Sequence, residues 1–376
     1  MNYSFEIEKI FEIIGRNLYT FPGKERLFKI KPFNNEEEIR EEFLKIKEIK
    51  KIKEEGEFFF NFPDLSNFEK ELLKEKIRCK PIYDALQYFI EELWHNFHHP
   101  TLLSLTCEAV GGNREQVVHI GAALVLLTGA ADVHDDIIDK SLTKNSKPTV
   151  LGRFGIEIAM LVGDALLLKG YELLHKSCNS LASRQKDIIV QWLKKAFFDL
   201  GVAVTKEIYL KGKWDIDPRE YLNIVVMKAA IADATARIGA LIGGGDQKKI
   251  TTLGKYGRIL GVLTTIRNDF IDILDPEELK NRIRNECIPL PILYAIQDQR
   301  TKDKVIDAMS KSEITAESCW KTLEELKGSP SFRKLNNQLK TYLRRGQRLL
   351  DVITIKHEIK DKLSQILDTV VEDILP

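Results

Sequence analysis

From Ile82 to the end of the 376-residue chain, apolar residues recur at intervals of three and four, prolines are few, and no alternating apolar and polar run persists. Spacings of three and four put side chains on one face of a helix, whereas a strand needs a period of two. The expected fold class is therefore all-α, with roughly ten or more helices packed on one another. Gly111-Gly112-Asn113 and Gly243-Gly244-Gly245-Asp246 fall where such helices would stop and turn. Residues Tyr221 to Ala240 read as one of these helices.

Two acidic clusters lie within this helical sequence, His134-Asp135-Asp136-Ile137-Ile138-Asp139 and Arg267-Asn268-Asp269-Phe270-Ile271-Asp272. Their carboxylates stand at helical spacing, so each cluster crowds onto one face. Like charges that close repel, and in an apolar setting they are tolerable when a cation neutralises them. Oxygen-only ligands favour Mg²⁺ over Zn²⁺. Two such patches facing one another across a helix-lined cavity would hold a diphosphate through bridging Mg²⁺ ions, because phosphoryl oxygens and carboxylates take the same hard cations. Lys144, Lys228 and Arg267 are the candidate side chains for that anion. Lys228 sits in the apolar run Val225 to Ile231, which favours a functional role, whereas Arg267 is as well explained by pairing with a neighbouring Asp.

Composition excludes other classes. A formal net charge of +1, with acids and bases interspersed, gives no electrostatic case for a nucleic-acid binder. The five cysteines form no CxxC pair or metal spacing, as expected of a reducing cytoplasm. Met1 to Ile10 shows no basic region leading into an apolar run, and Ile120 to Ala131 is too short an apolar stretch to span a bilayer. The expectation is a cytoplasmic protein whose only membrane contact would be peripheral, through an apolar product. Residues 1–80 differ in texture: a Lys/Glu-dense stretch runs from Asn35 to Gly56 beside Phe58-Phe59-Phe60, with turns at Phe21-Pro22-Gly23 and Phe62-Pro63-Asp64. They are expected to form a helical N-terminal extension ahead of a helical domain over 81–376. Phe5 to Leu72 also resembles the N-terminal region of MutS-type DNA mismatch proteins, though no ATP-binding Gly-rich loop follows.

From residue 82 to about residue 370 the chain resembles the trans-isoprenyl diphosphate synthases, the polyprenyl synthetase family of class I isoprenoid enzymes. The resemblance is carried by Cys107 to Gly112, His134 to Asp139, Lys147-Pro148-Thr149, Gly163 to Leu167, Lys228-Ala229, Asn268 to Asp272 and Leu290 to Ala295, in the family's order and spacing. It implies a helical bundle around a central cavity, an allylic prenyl diphosphate substrate and a homodimer. Mg²⁺ would be bound by Asp135, Asp136 and Asp139 opposite Asn268, Asp269 and Asp272. In this family the residues four and five positions before the first Asp floor the prenyl channel. Here they are Ala131 and Ala130, which imply room for a long chain or simply close helix packing. Phe197, Phe198 and Tyr209 are candidates for lining the cavity or filling the core.

The departures fall mostly on one substrate, although the second aspartate cluster also opens with Asn268 where the family has an Asp. The Gly-Lys-Arg-x-Arg-Pro stretch that holds isopentenyl diphosphate in the family is here His95-Asn96-Phe97-His98-His99-Pro100. A family His falls at Thr128, an Arg-Arg pair at Lys144-Asn145, a Gln at Thr265, and a Gly-Lys pair at Glu286-Cys287. Charge-assisted phosphate contacts are each worth roughly 1.5–3 kcal/mol, so losing several would weaken binding by decades. The expected activity is a Mg²⁺-dependent enzyme that ionises a long allylic prenyl diphosphate. It would then cyclise or eliminate, as a class I terpene synthase (a lyase), or act as a prenyltransferase toward another acceptor. The alternatives are a chain-elongating synthase with a remodelled isopentenyl diphosphate site near His98 and His99, and a catalytically silent partner subunit.

Overall fold

The computed structural model describes residues 79–93, 98–144, 147–309, 314–372 and 374. The expected extension over 1–80 lies outside the described residues but for its last two, as do His95, Asn96, Phe97 and Asn145. Helix α1 (Lys80–Tyr88) is followed by α2 (His98–Ala109) and α3 (Val118–Ile138). A short antiparallel hairpin of β1 (Thr143–Lys144) and β2 (Lys147–Pro148) comes next, a local departure from the all-helical expectation. Then come α4 (Val150–Phe154), α5 (Ile156–Ser177), α6 (Ser183–Leu210), α7 (Pro218–Lys228), α8 (Ala230–Ile242) and α9 (Gln247–Asp272). The rest is α10 (Pro276–Asn285), α11 (Leu290–Ala295), α12 (Gln299–Met309), α13 (Ala316–Gly328), α14 (Phe332–Asp351) and α15 (His357–Glu372).

The helix starts follow from local chemistry. Asp217 and Asp275 each precede a proline and accept a backbone N–H of the new first turn, from Arg219 at 2.8 Å and from Glu277 at 3.1 Å. An aspartate cap satisfies an orphan donor, and proline at the first position has no N–H to lose. Asp246 caps α9 in the same way through the Lys249 amide at 2.8 Å.

α3 is the central element. It is buried on all sides from Ile120 to Ala130 and packs along α5, while α8 lies between α2 and α9. Residues Arg114–Ile138 form one helix long and apolar enough to cross a membrane, longer than the apolar stretch alone suggests, yet 72% of its apolar window is buried inside the fold. A helix apolar all round is what the middle of a large bundle requires. The α2–α8 crossing is tightest at Gly239, where an added methyl would run into the Leu103 carbonyl oxygen and Thr106 Oγ1. Tyr256 in α9 reaches across to the C-terminal helices and donates its hydroxyl to the Leu363 carbonyl of α15 at 2.7 Å.

Two features bear on the site. The segment Tyr221 to Ala240, read from the sequence as one helix, breaks at Ala229 (φ −67, ψ 2) into α7 and α8. The break makes Lys228 the last residue of α7, and helix irregularities of this kind recur at functional positions. At the start of α2, His99 Nδ1 lies 3.3 Å from Thr235 Oγ1 on α8. Burial, with the neighbouring His98 adding to it, holds the His99 pKa down at about 4.

Gly239→Ala is expected to lower stability by about 1–3 kcal/mol through overpacking of backbone on backbone, seen as a reduced urea midpoint with an unchanged denaturant slope. His99 is neutral in the folded protein down to about pH 4, whereas in the unfolded chain it binds a proton below about 6.5. The unfolded state thus takes up more protons between those values, and stability falls as pH drops through that window. Between pH 7 and pH 4.5 the wild type should lose on the order of 2 kcal/mol relative to His99→Asn, read from the urea midpoints of both proteins, because the titrating carboxylates are common to the two.

Candidate active site

The acidic residues sit in or just beyond the last turns of their helices. α3 ends because Lys140 takes the left-handed conformation (φ 54) and the Ser141 amide turns back to the Asp136 carbonyl at 2.9 Å. The β1–β2 hairpin then doubles back, pinned by Thr149, whose amide donates to Leu142 O (3.0 Å) and whose hydroxyl donates to Ser141 O (2.7 Å). This return brings Lys144 Nζ to 3.7 Å from Asp136 Oδ1. Burial pushes the Asp136 carboxyl up to about 7 against the pull of Lys144. Asp139 rises to about 6, from burial first and then from the charges of Asp135 and Glu286. One turn earlier, burial also raises Asp132.

The second cluster is more enclosed. Asp269 is 2% exposed; its Oδ1 accepts from Arg282 Nη2 at 2.7 Å and its Oδ2 from the Leu290 amide at 2.9 Å. Asp272 keeps partial exposure, lies 3.9 Å from Arg282 Nε, and is lifted by burial to about 8. Arg282 also donates to the Tyr221 hydroxyl (2.9 Å) and to Glu286 (3.1 Å). Its neighbour Asn281 donates to the Asp139 carbonyl (3.3 Å), Ser141 Oγ (3.1 Å) and Glu286 Oε1 (2.6 Å). α10 thereby bridges the ends of α3 and α9 through consecutive side chains.

Lys228 pairs with Glu207 of α6. Burial raises the Glu207 carboxyl, with Lys228 opposing. Burial alone would lower the Lys228 ammonium, yet Glu207 and Asp135 together hold it above the ordinary lysine range. Lys228 in turn opposes the rise of Asp269, so both clusters, Glu207 and Lys228 share one electrostatic neighbourhood.

The other predicted positions are distributed differently. Arg267 is 1% exposed and packs as a core side chain, on the side of α9 away from solvent, and Asn268 is exposed. Ala130 is buried in the α3–α5 interface beside Phe89, Val133 and Leu166, which makes it a close-packing residue. Ala131 is partly exposed and is the one of the pair that can border a channel. Phe198 and Tyr209 are 68% and 73% exposed on the outer face of α6, so the expectation that they line the cavity or fill the core is corrected; Phe197 is half-buried. Sequence reasoning missed Glu207, Lys211 and Arg282, and read Glu286 only as a replaced position of a family Gly-Lys pair. Arg282 and Glu286 stand four residues apart and pair, yet nothing in spacing ties these residues to the partners they meet from other helices.

The donor set suits a hard divalent cation at the first cluster. Asp135, Asp136 and Asp139 offer hard carboxylate oxygens, and burial with neighbouring acidic charge raises Asp136 and Asp139, a cost that a bound cation would offset. The second cluster suits one less well, because both oxygens of Asp269 are already taken and only Asp272 retains access. Among the described residues no three donors are pre-gathered as a metal cage.

Comparison with known proteins places this geometry. The polyprenyl synthetase family model matches residues 82–326. A geranylgeranyl diphosphate synthase of Methanosarcina mazei is 28% identical over 297 residues, covering 77% of this chain and 89% of the relative. Among solved structures, a geranylgeranyl pyrophosphate synthetase from Pyrococcus horikoshii superposes with a TM-score of 0.71 at 22% identity, covering 82% of this chain and 96% of the other. A geranylgeranyl pyrophosphate synthase from Corynebacterium glutamicum, in complex with isoprenyl diphosphate and magnesium, does so with a TM-score of 0.70 at 18% identity, covering 82% and 97%. With two aspartate-bearing helix ends joined by α10 and a family match over most of the described bundle, the chain belongs to the polyprenyl synthetase family.

Proposed function

We propose that the chain is a Mg²⁺-dependent prenyl diphosphate synthase that ionises an allylic prenyl diphosphate and joins the resulting cation to isopentenyl diphosphate. The observation that carries this is the convergence of Asp135, Glu207, Lys228, Asp269 and Arg282 in one partly buried neighbourhood, with Asp136 and Asp139 beside Asp135 and Asp272 beside Arg282. Mg²⁺ held by Asp135, Asp136 and Asp139, with Asp272 opposite, would neutralise the diphosphate and make it a leaving group. Lys144 and Lys228, which pair with Asp136 and Glu207, would donate to its oxygens as charge builds there. The apolar wall of α3 keeps water from an electrophile that it would quench, and Ala131 leaves space for the tail. The relatives described above are all named as diphosphate synthases, which favours elongation over the expected cyclisation or transfer to another acceptor.

One observation favours that other acceptor as a second reading. His99, which stands where the resemblance puts an Arg for isopentenyl diphosphate, is neutral near pH 7 and faces Thr235. A neutral ring supplies no charge-assisted phosphate contact. The expected homodimer is a further proposal. Met160, Leu161 and Leu168 on α5, and Phe198, Val202 and Tyr209 on α6, are large apolar side chains left exposed. Exposed apolar surface of this kind would be covered if two copies met about a twofold axis.

Incubation with Mg²⁺, geranylgeranyl diphosphate and radiolabelled isopentenyl diphosphate is expected to move label into a longer prenyl diphosphate. Asp135→Ala should slow this by about 100-fold or more. Diphosphate released without a longer product would transfer the case to the second reading, and no release with any allylic chain length would sink both. Sedimentation velocity should show a dimer that Phe198→Glu with Val202→Glu converts to monomer; a monomeric wild type would refute the dimer.

A further inference from the structure

α6 closes at Leu210, and Gly212 adopts φ +69, a conformation that favours glycine. The turn is anchored from the far side, where the Gly212 amide donates to the Glu286 carbonyl at 3.3 Å. It aims Lys211 at the end of α3, where Nζ donates to the Ile138 carbonyl at 2.8 Å and to Asp139 Oδ1 at 2.8 Å. The two charged side chains are 21% and 17% exposed, so the pair is shielded without being sealed.

Asp139 is the third carboxylate of the cluster read as the metal site, and a lysine ammonium and a divalent cation compete for the same lone pairs. An ammonium has three protons. Two of those on Lys211 are engaged here, and the one on Ile138 O does not depend on Asp139. Lys211 can therefore stay at the end of α3 while giving Asp139 up, provided an incoming anion takes its place.

We propose that Lys211 is a built-in competitor for metal at Asp139, which couples cation binding to diphosphate binding. Without diphosphate the ammonium occupies Asp139 and weakens the site for a divalent cation. A bound diphosphate draws the ammonium to its own oxygens and frees the carboxylate for the metal. This rests on the reading of the first cluster as the metal–diphosphate site. Linkage then requires that diphosphate and metal strengthen one another by the same factor.

The test is Mn²⁺ binding to the full chain, followed by electron paramagnetic resonance with and without inorganic diphosphate, for wild type, Lys211→Met and Lys211→Arg. In the wild type, diphosphate should tighten Mn²⁺ binding by about tenfold or more. Lys211→Met should bind Mn²⁺ alone more tightly than wild type, by about tenfold, and lose most of the diphosphate enhancement, while Lys211→Arg retains it. If Lys211→Met proves poorly folded by circular dichroism, Lys211→Gln serves in its place. In an Asp139→Asn background the Lys211→Met change should no longer affect Mn²⁺ binding. Unchanged or weaker Mn²⁺ binding in Lys211→Met overturns the competitor role and leaves the site reading intact. No Mn²⁺ binding by wild type under either condition overturns both.

Discussion

Carboxylates crowded where water is scarce must be neutralised, and the active-site end of this bundle is organised around that requirement. Asp136 is met by Lys144, Asp139 by Lys211, Glu207 by Lys228, and Asp269 by Arg282. Separate local devices deliver the four cations: a hairpin turning back on α3, a glycine turn after α6, a break between α7 and α8, and the bridging helix α10. Removing one member of a buried pair leaves an uncompensated charge, at a cost of roughly 3–5 kcal/mol for fully buried cases. The network therefore holds as a set, and the helix ends that carry it are fixed relative to one another by electrostatics as much as by packing.

The parts of this arrangement that repeat along the chain were legible in advance. Apolar residues at three and four specify the bundle, and the spacing of Asp135, Asp136 and Asp139 puts them on one helix end. Lys144 and Lys228 were within reach because each sits beside a recognisable stretch. Lys211 and Glu207 were not, since their partners lie 72 residues away for Lys211 and across a loop and a helix for Glu207, and only folding brings them together. The break at Ala229 was hidden as well, because nothing in the run Tyr221 to Ala240 contains a glycine or proline to announce it before Gly239. Arg267 shows what sequence neighbourhood leaves open: a cation next to an acidic cluster is 1% exposed because the helix phase puts it on the buried side.

The family fold persists here at low identity, while the two ends of the candidate site differ in chemistry. The aspartate-bearing ends, with their lysines, keep the groups suited to an allylic diphosphate. The start of α2 presents His99 where the resemblance puts a fixed cation, and burial holds it neutral. Burial that would penalise an arginine is compatible with a neutral ring against Thr235, so this corner has the polarity of a packed helix crossing more than of an anion pocket.

Helix direction adds a consequence of its own. α3, α6, α7 and α9 all meet the site with their C-terminal ends, at Ile138, Leu210, Lys228 and Asp272. Each such end is the negative pole of a helix dipole, equivalent to roughly half a charge, and at α3 the Ile138 carbonyl already accepts from Lys211. Four such ends gathered beside the carboxylates make a standing field that favours positive charge. On the proposed reading, the carbocation left when an allylic C–O bond breaks would lie in that field of backbone dipoles, stabilised by the course of the chain itself as well as by side chains.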